Sequence, residues 1–223
     1  MSKQRYHENN QITTAMEIDG NMMTGEELKS VLQPTTPNRY RWNVDVAKAY
    51  ENLLWHYHRK VSESGRVYHD SIAVKEAMRA IASFITSDDY HFSIMLCGQP
   101  GNGKTTLMHA IYNVCRYRGE SALFTTGKKI IRAVENGMDV EIFQGEKLMF
   151  IDDLGAERKE VQEFGNVLTP MVDLLEHRYA KRLFTVVTTN LDADQLGEKY
   201  GARLRDRFRE MFIVVPFTNP SFR

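Results

Sequence analysis

The sequence predicts an α/β fold in which one parallel sheet of five strands is flanked by helices and preceded by a small helical N-terminal region. Three observations carry this expectation. Short apolar runs recur at 93–97, 122–126, 147–151, 183–189 and 212–217. Segments with apolar residues at helical spacing separate them, the pattern of parallel strands joined by crossover helices. The first run breaks into a glycine-rich turn at 98–106, GQPGNGKTT, which opens directly into the next helical segment.

At 223 residues, 42% hydrophobic and 26% charged, the chain can hold one sizeable core and a smaller appendage. Positive and negative side chains balance to a formal charge of zero. No global field therefore draws the molecule to nucleic acid or membrane, and any such affinity must come from local patches. Cys97 ends an apolar run and Cys115 lies on the apolar side of a helical segment. Both read as small core residues, which argues against a disulfide framework or a zinc site. No apolar stretch is long enough to span a bilayer, and the opening MSKQRYHENNQ lacks the apolar centre of a signal peptide. A cytoplasmic protein with no membrane partner is expected.

Taken in order, residues 1–23 are polar with no sustained period, and weak order is expected there. Thr24-Gly-Glu-Glu begins a short helix with Leu28, Val31 and Leu32, ended by Pro34 and Pro37. Asn43 is expected to cap a longer amphipathic helix with Val44, Ala47, Tyr50, Leu54, Tyr57 and Val61 on one face. That face fits either the chain's own core or a docking partner. After Ser64-Gly65, Asp70 should cap a helix with Val74, Ala77, Met78, Ile81 and Ile85 inward. The expected division is an N-terminal arm and partner-binding region at 1–69 and a second domain at 70–223.

Leu107, Ala110, Ile111, Val114 and Cys115 fall at helical spacing up to Gly119. A helix over 128–134 with Ile130, Ile131 and Val134 on one side follows the second strand, and a shorter helical piece follows Gly137. Between 161 and 179 an amphipathic helical pattern (Val161, Phe164, Leu168, Met171, Val172, Leu175) crosses the sheet, with Thr169-Pro170 either kinking it or starting a new helix.

The glycine-rich turn is where chemistry is expected. From Gly98 to Thr105 it reads GxxxxGK(S/T), the phosphate-binding loop, with Gln99, Pro100, Asn102 and Thr106 completing the stretch. Successive backbone N–H groups must converge on phosphate oxygens, and a side chain at Gly98, Gly101 or Gly103 would hinder that approach. Lys104 adds a flexible positive charge for the β- and γ-phosphates. Thr105 offers a hydroxyl to Mg²⁺, and the following helix points its positive end at the same anion. ATP and Mg²⁺ are the expected cofactors.

Asp152 and Asp153 end the third apolar run. Ionised carboxylates near a core need a cation or donors, and Mg²⁺ on a triphosphate is such a cation. Asp152 is assigned to the metal and Asp153 to placing the attacking water. Glu157 is a possible substitute if its loop folds back. Asn190, ending the fourth strand, falls on the same rim, where its amide can hold water or sense a γ-phosphate. Arg203 and Arg207, four apart, share one helical face near the end of the chain.

With these motifs in place, GQPGNGKTT, FIDDLGAE, VVTTNL and GARLRDRF, the chain resembles the AAA+ ATPases of the DnaC/DnaI helicase-loader and IstB transposition-helper group over about 94–223. The resemblance implies a P-loop NTPase fold, with Lys104 and Thr105 in Walker A, Asp152 and Asp153 in Walker B and Asn190 as sensor one. It maps the arginine finger, which acts on the neighbouring subunit's nucleotide, best to Arg207, with Arg203 supporting or competing. Too few residues follow the fifth strand for a C-terminal helical lid. What the group implies is an ATP-hydrolysing homo-oligomer that grips a hexameric replicative DNA helicase through its N-terminal region. Lys128, Lys129 and Phe124 are expected to contact single-stranded DNA. Rival readings are a transposition helper on duplex DNA, a small-molecule P-loop kinase, and an ATP-dependent switch with negligible turnover.

Overall fold

A computed structural model describes residues 16–18, 21–23, 39–68, 71–163 and 166–218. The chain divides into two compact units, Met1–Pro37 and Asn38–Arg223. In the first, β1 (Met16–Ile18) pairs antiparallel with β2 (Asn21–Met23), Met16 opposite Met23. At 16–18 and 21–23 strands stand where weak order is expected, and the rest of 1–23 lies outside the described residues. The overlooked signal is the Asp19-Gly20 dipeptide between the strands, the strongest short hairpin cue a sequence carries. The helix expected from Thr24 to Leu32 lies outside the described residues.

The second unit begins well before the expected 69/70 boundary, because the amphipathic helix α1 (Val46–Glu63) packs into its core. Asp45, not Asn43, caps it by accepting from the backbone N–H of Lys48 at 2.7 Å. Its buried residues are Ala49, Leu53, His56 and Tyr57, and the expected Val44, Tyr50, Leu54 and Val61 pack partly buried against the same core, whereas Ala47 is exposed. Helix α2 (Ile72–Thr86) buries the expected residues together with Ala82 and Phe84. Ser71 is its cap, and Asp70 lies outside the described residues.

Five parallel strands form the sheet: β3 (Ser93–Gly98), β4 (Ala122–Thr126), β5 (Leu148–Leu154), β8 (Thr185–Thr189) and β9 (Phe212–Phe217). Their spatial order is β4-β5-β8-β3-β9. Alternation along β3 shows how the layers form. Ile94 and Leu96 pack with α1, α2 and α3 (Lys104–Tyr117), while Met95 packs on the other face with α4 (Gly127–Glu135), α6 (Pro170–Ala180), α7 (Ala193–Tyr200) and α8 (Ala202–Met211). Both faces are thus covered, which is why the strands read as continuous apolar runs. The short helical piece after Gly137 is α5 (Glu141–Gln144).

Before α6 the expectation fails. Val161 to Leu168 is not helical but a hairpin of β6 (Val161–Glu163) and β7 (Asn166–Leu168), and α6 starts at Pro170, which occupies its first turn. Proline costs nothing at a helix start, where its missing N–H has no partner anyway. The apolar residues at 161 and 168 satisfy strand and helix spacing alike over so short a stretch.

Two histidines on the α1 and α3 side, buried His56 and half-buried His109, carry a pH dependence. Burial lowers the pKa of His56, with Arg59 adding to the effect. Burial and Lys60 lower that of His109, against opposing pulls from Asp152 and Glu63. The unfolded chain then binds more protons than the folded one below the ordinary histidine value of about 6.5. Stability should be flat above that pH and fall as the pH drops below it. Thermal melting at pH 7.5 and 5.5 checks this, and His109→Gln should reduce the difference.

Candidate nucleotide-binding site

Parallel strands in this order bring the ends of β3, β8 and β5 to one edge. Cys97 pairs with Thr189, and Leu154 pairs with Thr189 across the other side of β8. Gly98, Asn190 and the two aspartates therefore meet on the carboxyl rim, where open α/β sheets bind ligands. A cavity of about 280 Å³ opens there, lined by Arg66, residues 100–106, Asp153 and Asn190. A larger one, about 740 Å³, lies at the opposite ends of the strands beside Tyr40, Lys147 and Phe184, with none of the motif residues.

The loop is shaped by backbone as much as by side chains. Gly98, Gly101 and Gly103 have φ of 144°, 84° and 100°. At Gly98 a Cβ would collide with the carbonyl of Phe217 and with the Asn102 amide, so only glycine fits. Asn102 is buried and donates from Nδ2 to Phe217 O at 2.9 Å, fastening the loop to the end of β9. Asn102 thus lines the cavity and also acts as a strut between the loop and β9.

Lys104 is only 5% exposed. Its ammonium donates to Gly98 O at 2.7 Å, Gln99 O at 2.9 Å, Asn102 Oδ1 at 3.3 Å and Asn190 Oδ1 at 2.8 Å. Gly98 and Gln99 thus lie behind the cavity and hold the lysine, and Asn190 reaches it from β8. Thr105 donates to Asp152 Oδ1 at 3.0 Å, and Thr188 donates to the same oxygen at 2.6 Å.

A register shift between Ile151 and Leu154 interrupts the pairing of β5 with β8 at the two acids. Asp153 has φ of 55°, a left-handed conformation that costs a non-glycine residue about 1–2 kcal/mol. Its N–H donates to Thr188 Oγ1 at 2.9 Å. The bulge points Asp152 inward to the threonines and turns Asp153 to the cavity. Thr188 is the residue that fixes both, and its polar side chain in a buried strand is the only trace of this in the sequence.

Glu157 does fold back, but not to the cavity. Its side chain is fully buried. It accepts from Gly155 N–H at 2.9 Å and from the Tyr200 hydroxyl, while Lys199 donates to its carbonyl at 2.6 Å. Gly127 leaves room for it, since a Cβ there would strike the carboxylate. It ties the loop after β5 to the junction of α7 and α8, and it is no substitute for Asp153. Glu157→Ala should strand the Gly155 N–H and the Tyr200 hydroxyl, and lower the melting temperature by several degrees, measured by calorimetry, for a cost of about 2 kcal/mol.

Arg203 and Arg207 lie outside the cavity. Both turn to Glu176 on α6, at 3.5 and 2.9 Å, and Arg207 also sits over the Tyr179 ring at 5.1 Å. The Arg203 side chain is 75% exposed against 21% for Arg207, so it is the freer of the two.

Over residues 94–215, more than half of its length, the chain matches the family described as "ATPase family associated with various cellular activities (AAA)". The chain belongs to the AAA ATPase family. Three solved structures share the AAA fold with it: DnaI (23% identity, TM-score 0.54, 68% of this chain and 88% of that one), a DnaC helicase loader (20%, 0.53, 68% and 94%), and AMPPCP-bound DnaA from Aquifex aeolicus (15%, 0.50, 66% and 48%). No curated protein sequence matches. Membership makes the chain a nucleotide-binding ATPase. Among the described residues, no helix is long and apolar enough to cross a membrane.

For this AAA chain sequence reasoning missed Arg66, which no motif contains and which reaches the cavity from the loop after α1. It also overrated Phe124 as a stacking platform. That ring is stacked on His109 at 4.1 Å, meets Tyr112 edge-on and runs alongside Phe150. Lys128 and Lys129, by contrast, are exposed at the start of α4.

Proposed function

We propose that the chain is an ATP-hydrolysing loader of a replicative DNA helicase, acting as a homo-oligomer. The observation that carries the reading is the convergence of Lys104, Thr105, Asp152, Asp153 and Asn190 on one cavity edge, in a fold shared with a helicase loader and with DnaI.

In this reading the amides of 100–106 cradle the phosphates, and Lys104 exchanges one of its acceptors for a phosphate oxygen. Thr105 and Asp152 fit Mg²⁺, being hard oxygen donors already 3.0 Å apart at the helix start. When bound there, the ion neutralises charge on the phosphate oxygens. Asp153 orients the attacking water through its carboxylate. Asn190, whose Oδ1 already accepts from Lys104, couples the position of that lysine to β8. Arg203 or Arg207 of a neighbouring subunit, released from Glu176, neutralises charge developing on the transferred phosphoryl group. Lys128 and Lys129 contact the backbone of single-stranded DNA by charge, so that binding should weaken steeply with salt.

Turnover measured against protein concentration, with and without single-stranded DNA, tests the shared site: specific activity should rise with concentration, and a constant value would count against it. Arg203→Ala/Arg207→Ala mixed with Lys104→Ala should regain part of the activity that neither variant has alone. For the partner, the chain should co-purify with a hexameric replicative helicase and lose it on deletion of 1–37. Recovery of a transposase instead would transfer the function to a transposition helper.

A further inference from the structure

The cavity holds a cation that the family motifs do not supply, and its backbone is fixed from both sides. Helix α1 ends on Ser64-Gly65, and Gly65 takes φ of 71°. Gly65 N–H donates to Ser62 O at 2.9 Å and Arg66 N–H to Val61 O at 3.3 Å. This pair of bonds is a Schellman motif, which reverses the chain sharply at the helix end. Two residues on, Tyr68 stacks on His58 at 3.8 Å and meets Tyr57 edge-on, so the far side of the turn is anchored to α1 as well. Arg66 lies between the two anchors.

The position of α1 decides where that turn points. His56 neighbours Tyr117 at the last turn of α3, while Lys60 lies close enough to His109 to depress its titration. The two helices therefore run antiparallel, and the end of α1 comes to the start of α3, where the phosphate loop is. Arg66 and Lys104 are the two cations lining the cavity. They differ in their partners: Lys104 is enclosed by loop carbonyls and Asn190, whereas among the described residues no ion pair holds the exposed Arg66 guanidinium.

We propose that Arg66 is a phosphate-binding residue of the nucleotide site, supplied by the same subunit from the turn between α1 and α2. A guanidinium offers a planar fork of donors that matches two phosphate oxygens, and Arg66 brings it to the cavity from the turn after a helix packed on one face of the sheet, whose strand ends supply Asp153 and Asn190. Helix α1, which lies outside the residues matched by the family, thereby becomes part of the nucleotide site and not only of the core.

The inference rests on the nucleotide reading of the cavity, and the experiment separates the two. Affinities of the full-length chain for ATP and for inorganic tripolyphosphate are measured for wild type, Arg66→Ala, Arg66→Lys and Lys104→Ala. Melting curves confirm that the exposed substitution leaves the fold intact. Loss of one charge-assisted contact should weaken Arg66→Ala for both ligands by about tenfold to a hundredfold, with Arg66→Lys recovering part. Wild-type affinities in Arg66→Ala beside lost binding in Lys104→Ala would overturn the role of Arg66 alone. Weakened ATP but unchanged tripolyphosphate would place Arg66 on the nucleoside and overturn the phosphate assignment. Unchanged binding in Lys104→Ala would overturn the reading of the cavity and the role of Arg66 with it.

Discussion

Lys104→Ala should lower ATP turnover at least about a hundredfold, the cost typical of removing one preorganised donor from a developing negative charge. The loop explains why compensation is not available. The ammonium sits at the centre of a cage formed by two loop carbonyls, Asn102 and Asn190, and that cage sets where a cation stands relative to the loop amides. Removing the side chain takes away the charge and also the tie between the loop and β8. Arg66, arriving from another layer, cannot occupy the cage. The substitution should be tolerated by the fold, since Lys104 itself lines the cavity and the space its side chain leaves lets water reach the acceptors behind it. Steady-state turnover beside a melting curve checks both parts. Turnover within a factor of three of wild type, in protein that melts normally, would remove Lys104 from the chemistry.

The same cage shows what a sequence can and cannot disclose. The phosphate loop, the acids and Asn190 were legible because their spacing is dictated by backbone geometry: strand, glycine turn, helix start. Which strand stands next to which was not, yet adjacency of β3 to β8 is what brings Asn190 within 2.8 Å of Lys104. Roles shared between side chains were similarly hidden. Asn102 reads as one more loop residue, but it braces the loop against β9. Thr188 reads as a strand residue, but it orients both aspartates. Phe124 beside two lysines suggests a base platform until the partners of its ring are seen. Short stretches gave the errors in secondary structure: over eight residues before Pro170, apolar spacing fits two strands as readily as a helix turn or two. The N-terminal boundary was misplaced for a different reason. A stripe on α1 states that something covers it, and only the packing on the sheet side says that the cover is the chain itself.

Arg178→Met should destabilise the chain by about 3–5 kcal/mol, lowering the melting temperature by roughly 8–16 °C for a protein of this size. Among the described residues no charged one is more deeply buried: Arg178 is fully buried near the end of α6. Burial pulls its pKa down to about 9, still above neutral, so the guanidinium remains charged in the fold. It donates to Thr185 Oγ1 at 2.7 Å, Glu146 O at 2.7 Å, Phe184 O at 2.8 Å and Lys147 O at 3.3 Å. Those acceptors precede or begin β5 and β8, so one side chain staples the entry of two central strands to a helix. Methionine fills much of the volume but leaves the Glu146 and Lys147 carbonyls without the donors that Arg178 supplied, while Phe184 O keeps the Met149 N–H at 3.2 Å, and each buried orphan costs about 1–3 kcal/mol. Arg178→Lys should recover less than half, because one ammonium cannot span acceptors that a planar fork reaches together. A melting temperature within about 2 °C of wild type for Arg178→Met would mean that water or neighbouring groups serve these acceptors equally well. The effect should extend beyond stability. Helix α6 also carries Glu176 and Tyr179, which hold Arg203 and Arg207. Loosening its anchor should therefore weaken turnover at temperatures below the transition, and adding Glu176→Ala to Arg178→Met should then cause little further loss.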